Sequence, residues 1–319
     1  MIIINLFLYV LLYILYIKKN KSNLEFYFGN YSNEQKYSIK KFAIIQRKCE
    51  LCGLFSFYIV NLGCIHKFLL EGFIPIIDIK SFPNALNGFN ITKQNYWELF
   101  FKQPFGYTLE FVLKNEKNII YVQCQDCNPR PDFFSMLFNE PKRRFWHDFS
   151  NNYMPIKNYL INLSNKIIQR LFNKSKNILG VLTRGTDYIS KKPKGHPIQP
   201  NIIDVINDVK KLDKQYNYDY IFFSTEDDLI RDKFTIIFKS KVKQIKQKFN
   251  INYDYNKKNY LNNNENIKGN TEYSKIYLLN IIILSKCLDI IASRCSGTAG
   301  IFVLTNGFRN MKIYDLGVY

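Results

Sequence analysis

Three segments of this 319-residue chain set charged or hydroxyl-bearing residues beside a glycine or a helix start: Arg184-Gly185-Thr186-Asp187, Ser224-Thr225-Glu226-Asp227-Asp228 and Ser293-Arg294-Cys295-Ser296-Gly297-Thr298. Each follows an apolar run that reads as a strand. An arginine at a strand end can give two parallel hydrogen bonds to a phosphate, and the free N–H groups of a helix start receive an anion. Arg184, with Ser296, Gly297 and Thr298 and with Thr225 as a further donor, therefore makes a diphosphate cradle. Glu226 and Asp227 at a strand end can accept two N–H bonds from the Watson–Crick edge of guanine. Each piece also has a plainer role, since Thr-Glu-Asp-Asp is a good helix start and Ser-Gly-Thr a tight turn. Asp187 can act as general base or hold Arg184 and its loop in place, and Asp78 is an alternative base. His196, in Gly195-His196-Pro197-Ile198, either touches the nucleotide or caps the helix that follows. His66 and His147 read as structural. With no H-x-x-x-H and no Asp-x-Asp spacing, no metal site is expected.

The elements that must hold these segments follow from apolar periodicity. In the first half, residues 54–60 read as a strand, 62–71 as a helix closed by Gly72, and 73–79 as a second strand, a parallel βαβ unit. Residues 95–103 and 106–115 read as short amphipathic pieces and 119–122 as a strand. Residues 133–172 are helical, with Pro141 and Pro155 as breaks. A boundary falls at 172–177, where Asn-Lys-Ser-Lys-Asn interrupts the periodicity. In the second half, strand 178–183 leads to a helix opened by Pro200, strand 219–224 to a helix 227–239 capped by Thr225, and helix 273–286 to strand 288–293. A helix 298–305 and a strand 312–314 close the pattern, and the Asn- and Lys-rich stretch 248–270 reads as a mobile loop. Such alternation predicts an α/β fold of two Rossmann-like domains facing across a cleft, with the ligand outside the strand C-termini. The expected division is 1–22 as a hydrophobic segment, 23–174 as one Rossmann-like domain and 175–319 as a second.

Taken in order, the three segments resemble the fucosyltransferase superfamily of GT-B architecture, and most of all its α1,6 branch. That branch ends a strand in His-x-Arg-Arg-x-Asp and sets His-Pro-Ile nine residues on; here Leu182-Thr183-Arg184-Gly185-Thr186-Asp187 is followed at that distance by His196-Pro197-Ile198. Its Ala-Thr-Asp-Asp is similar to Ser224-Thr225-Glu226-Asp227, and its Leu-Ser-x-Ala-Asp with a later Ser-Ser turn to Leu284-Ser285-Lys286-Cys287 and Ser296. The likeness covers residues 178–305. Gly53-Leu54-Phe55-Ser56, Gly72-Phe73-Ile74-Pro75 and Trp97-Glu98 also resemble bacterial cell-surface polysaccharide biosynthesis proteins. The departures are Leu182 for the histidine, Gly185 for the second arginine, and Tyr188 and Lys192 where the branch carries a lysine and an acceptor-activating glutamate. The resemblance implies an inverting, metal-independent glycosyltransferase that moves fucose from GDP-fucose, or a related GDP-sugar, to a glycan acceptor. Arg184 and the 296–298 helix start would then stabilise the leaving diphosphate. The missing glutamate and second arginine leave open a non-catalytic binding or scaffold protein that keeps the sugar-nucleotide fold.

Composition narrows the partners. The net charge is +19, but only nine of the 45 basic residues are arginine, and the lysines are spread among Asn, Ile and Tyr. Beyond the cluster Lys142-Arg143-Arg144 there is no gathered basic element and no nucleic-acid motif, so nucleic acid is not an expected partner. Seven cysteines include two C-x-x-C pairs, Cys49/Cys52 and Cys124/Cys127, whose ligand type suits zinc. The 71 residues between the pairs exceed a compact zinc module, and buried or incidental thiols are the expected reading. Residues 2–17 are apolar except for Asn5 and are followed by Lys18-Lys19-Asn20-Lys21. Sixteen helical residues span about 24 Å, somewhat less than a bilayer core. The segment reads as an N-terminal membrane anchor with the enzyme body cytoplasmic, a Golgi-type membrane if the source is eukaryotic, or else as a buried helix.

Overall fold

The computed structural model describes residues 40–123, 130–246, 253–257 and 260–319. The apolar segment 2–17 and the pair Cys124/Cys127 lie outside them. Among the described residues no helix is long and apolar enough to cross a membrane.

Among the described residues two sheets, each wholly parallel, organise the fold. In the first, β1 (Phe42–Gln46) lies between β2 (Ile74–Asp78) and β3 (Ile119–Gln123), with Phe42 opposite both Ile74 and Ile119. In the second the order is β6 (Val242–Lys243), β5 (Tyr220–Ser224), β4 (Ile178–Leu182), β7 (Asp289–Ser293) and β8 (Met311–Tyr314). Parallel strands covered on both faces need nearly continuous apolar runs, and β1, β2, β4 and β7 are buried along their whole length. The register sets Leu182 beside Ser224 on one side and Ala292 on the other. The three segments that follow β4, β5 and β7 therefore emerge side by side. Connections leave β4 toward β5 and β6 on one side, while β7 and β8 lie on the other, so a topological switch point falls between β4 and β7.

Long helices cover the sheets: α1 (Leu54–Leu70), α2 (Glu140–Tyr153), α3 (Asn158–Phe172), α4 (Ile202–Tyr216), α5 (Asp228–Phe238), α6 (Thr271–Leu284) and α7 (Ser296–Leu304). One apolar cluster runs unbroken from α1, α2 and α3 into α6, α7 and one face of the second sheet. Phe133 lies 6.0 Å from Phe302, and a Cβ on Gly300 of α7 would overlap the Phe55 ring of α1. The opposite face of the second sheet packs on α4 and α5, where Phe223 and Phe234 stack at 3.9 Å.

Several expected elements move. Residues 54–60 are the first turns of α1, not a strand, and the first strand among the described residues is Phe42–Gln46, ahead of the expected one. A continuous apolar run carries little periodicity of either kind, and here length decides for a 17-residue helix that starts at Gly53. Pro141 stands in the first turn of α2, where the missing N–H costs nothing, and Asn139 caps that helix by accepting Lys142 N at 2.9 Å. Asp227 rather than Thr225 caps α5, its Oδ1 accepting Ile230 N at 3.1 Å. The second half of the expected mobile loop is anchored, with Leu261 and Ile267 buried.

Candidate active site

Between the two halves, over the C-terminal ends of β4 and β7, lies a cavity of about 310 Å³. Its second-half wall carries Arg184, Asp187, Tyr188 and His196 after β4 and Cys295, Ser296 and Gly297 after β7. The first half contributes the loop before α1, with Cys49, Leu51 and Cys52, and the α1 start at Leu54. Cys49 and Cys52 are joined as a disulfide, so in this state they are neither zinc ligands nor incidental thiols. Asn262 Nδ2 donates to Leu51 O at 2.7 Å and clasps that loop to the 260–263 segment.

The loop after β4 is rigidly held. Arg184 Nε lies 3.2 Å from Glu226 Oε1, Nη2 lies 3.3 Å from Asp187 Oδ1, and the guanidinium sits 4.6 Å from the Tyr188 ring. Burial opposes its charge, but Glu226 first, then Tyr188 and Asp187, hold the Arg184 pKa above the ordinary arginine value. The side chain keeps 17% of its surface exposed, and it lines the cavity. Gly185 N donates to Glu226 Oε1 at 2.8 Å, and Thr186 N to Asp227 Oδ2 at 3.1 Å. Thr186 takes a left-handed φ of 44°, a conformation a threonine holds only when its surroundings dictate it. A Cβ at position 185 would overlap the Asp227 carboxylate, so glycine here is dictated by packing.

The expected site residues separate into three groups. Arg184, Asp187, His196, Ser296 and Gly297 share the cavity. Thr225 and Glu226 line a small recess of about 20 Å³ behind it, and Arg184, Tyr273 and Tyr277 border both spaces as a partition. Asp227 and Thr298 border neither. Asp227 caps α5 and also accepts the Tyr255 hydroxyl, while Thr298 Oγ1 donates to Ser293 O at 2.5 Å. Asp187 has one carboxylate oxygen on Arg184 and Thr186 and the other 3.4 Å from Leu261 N. Asp78 accepts Gln46 Nε2 and the N–H groups of Lys80 and Ser81, and does not line the cavity.

On the same second-half wall the N-terminus of α7 opens toward the cavity. Cys295 stands at its cap position with its Sγ 3.4 Å from the Thr298 hydroxyl and no side-chain bond to a backbone N–H, which leaves the first N–H groups free of a side-chain cap. His196 lies against Tyr188 at 5.3 Å, and burial, aided by Arg184, lowers its pKa despite the nearby Asp187. The tyrosines are what sequence reasoning missed. Tyr273 and Tyr277 are spaced one helical turn apart on α6, with Asn280 a further turn along, and that spacing was a readable signal. Burial pushes Tyr188 up to about 12. His66, caged by Phe145, Trp146 and Phe149, and His147, bonded to Val303 O at 2.9 Å, are structural as expected.

No protein-family model and no curated protein matches this sequence. Among solved structures, NodZ α-1,6-fucosyltransferase soaked with GDP-fucose aligns with a TM-score of 0.51 at 12% identity, over 83% of this chain and 93% of that one. POFUT1 in complex with GDP aligns at 0.48 and 11%, over 86% and 98%. Arabidopsis thaliana FUT1 in complex with GDP aligns at 0.47 and 9%, over 94% and 79%. The chain, an α/β protein of two parallel sheets, thus has the fold of the fucosyltransferase NodZ.

Proposed function

We propose that this chain is an inverting, metal-independent glycosyltransferase that moves fucose from GDP-fucose to a glycan acceptor. The observation that carries the reading is the cavity at the switch point, where the Arg184 guanidinium and the open N-terminus of α7 meet on one wall. Breaking a sugar–diphosphate bond builds negative charge on the leaving phosphate. A guanidinium with N–H groups left over from Asp187 and Glu226, and the N–H groups of Ser296 and Gly297, are fixed donors that need no rearrangement as that charge grows. The fold shared with NodZ, whose structure was solved with GDP-fucose, supports the choice of donor. This reading assigns the guanine edge to Glu226. That side chain must turn outward to meet it, because its Oε1 is held by Gly185 N and the Thr186 hydroxyl and its recess of about 20 Å³ is smaller than a base. The acceptor proton goes to a base on the same wall, where Asp187 and His196 stand; burial keeps His196 neutral and able to accept it. In this reading GDP binds more tightly than UDP by calorimetry, and transfer from GDP-fucose persists in EDTA. Tighter UDP binding, or activity lost in EDTA and restored by manganese, overturns it.

A second reading has its own observation. Arg184 is matched by two carboxylates, and the place of a second arginine is sterically closed at Gly185. Both features suit a protein that holds a GDP-sugar without turning it over. Tight GDP binding with neither transfer nor hydrolysis of GDP-sugars is its mark.

A further inference from the structure

Tyr277 borders the cavity and the recess behind it, beside Arg184. Its ring is fixed edge-on against Phe55 at 5.4 Å and 87°. Its hydroxyl stands over Gly297, in the first turn of α7, so closely that a Cβ on that residue would collide with it. The Tyr58, Tyr218, Tyr255 and Tyr314 hydroxyls are each bonded to a serine or a carboxylate. That of Tyr277 makes no hydrogen bond among the described residues. Burial, against the pull of Arg184, raises its pKa well above the usual tyrosine value, so it is a donor at any physiological pH.

A donor on the cavity wall that makes no internal hydrogen bond is left to water in the free protein and to a ligand's acceptor when one binds. Two groups that line the same cavity, the Arg184 guanidinium and the first N–H groups of α7, are donors as well. A ligand group that satisfies all three must be an anion with several oxygens. Three donors around one place suit the phosphate with the most negative charge, which in a nucleoside diphosphate is the terminal one. We propose that the Tyr277 hydroxyl donates a hydrogen bond to the β-phosphate of a bound nucleoside diphosphate, so that Tyr277 and Gly297 form part of the phosphate site. This rests on the nucleotide reading above. Neither residue's part follows from the motif after β4.

The test compares GDP and GMP binding to the full-length protein and to Tyr277→Phe, which removes only the hydroxyl. The loss of one hydrogen bond to a charged oxygen weakens GDP by about tenfold or more, while GMP affinity stays the same. Gly297→Ala, which pushes a methyl group into the hydroxyl, weakens GDP in the wild-type background and much less in Tyr277→Phe, where the clashing atom is gone. Thermal melting of each variant near the wild-type temperature shows that binding, not folding, is read. Unchanged GDP affinity in Tyr277→Phe, or an equal loss for GDP and GMP, overturns the assignment and leaves the nucleotide reading standing. Wild-type protein that binds neither nucleotide overturns both.

Discussion

At the scale of single residues, Arg184 is the group whose chemistry a conservative change tests best. Lysine keeps the charge but loses the planar fork, and it cannot bridge Glu226, Asp187 and a phosphate together. Arg184→Lys should stay folded and lose about 10²–10³ in kcat, the range for removing one donor aimed at transition-state charge. The Michaelis constant should change less, because the interaction strengthens along the reaction. Steady-state kinetics with GDP-fucose checks this, and near-normal turnover removes Arg184 from the mechanism. Glu226 reaches both Gly185 N and the Arg184 guanidinium, and so locks the loop from beneath.

At the scale of elements, the cleft depends on how α7 lies against α1. Both helices are buried along most of their length, and they meet at Gly300, which lies directly against Phe55. Phe55 in turn backs Tyr277, so the contact that joins the two halves also sets the partition of the cavity. Gly300→Ala should therefore destabilise the fold by about 1–3 kcal/mol through overpacking. It should also weaken nucleotide binding beyond any change in the folded fraction. Phe55→Leu in the same chain should restore part of the stability, because the atoms that collide are removed. Urea denaturation of the two single variants and the double variant measures this. Additive losses place the strain somewhere other than this contact.

At the scale of the whole molecule, two buried histidines add a pH-dependent contribution to stability. His66 is 5% exposed, and burial lowers its pKa from the ordinary value of 6.5; His196 is lowered for the same reason. In the unfolded chain both titrate normally, so below 6.5 the unfolded state binds more protons than the folded one. Stability then rises with pH in that window and is lost as pH falls through 6.5 toward the folded values. Asp289, buried at the start of β7, acts in the same sense at lower pH: burial raises its pKa, but hydrogen bonds from Arg309, Tyr218 and Asn310 outweigh that and hold it below 3.8. The urea midpoint should fall between pH 7 and pH 5 at fixed ionic strength. His66→Leu should flatten that dependence, and an unchanged slope would show that His66 is not its source.

The amino-acid sequence by itself determined the parts whose information is local. Apolar runs ending in Arg184, Ser224 and Ser293 read directly as parallel strands, because strands buried on both faces must be continuously apolar. Their order and alternation with helices predicted where a ligand would lie, and Arg184, Asp187, His196, Ser296 and Gly297 do share that cavity. Tertiary structure alone decided what depends on partners distant along the chain. The continuous apolar run from residue 54 became a helix because packing and length, not periodicity, chose its state. Glu226 and Asp227 turned toward the loop at Gly185 and Thr186 because that loop has N–H groups no strand can satisfy. The disulfide between Cys49 and Cys52, and its clasp to Asn262 across 211 positions, bring the first half to the rim of the cavity. Tyr277 acquired its place, edge-on to Phe55 and over Gly297, only when α6, α7 and α1 met.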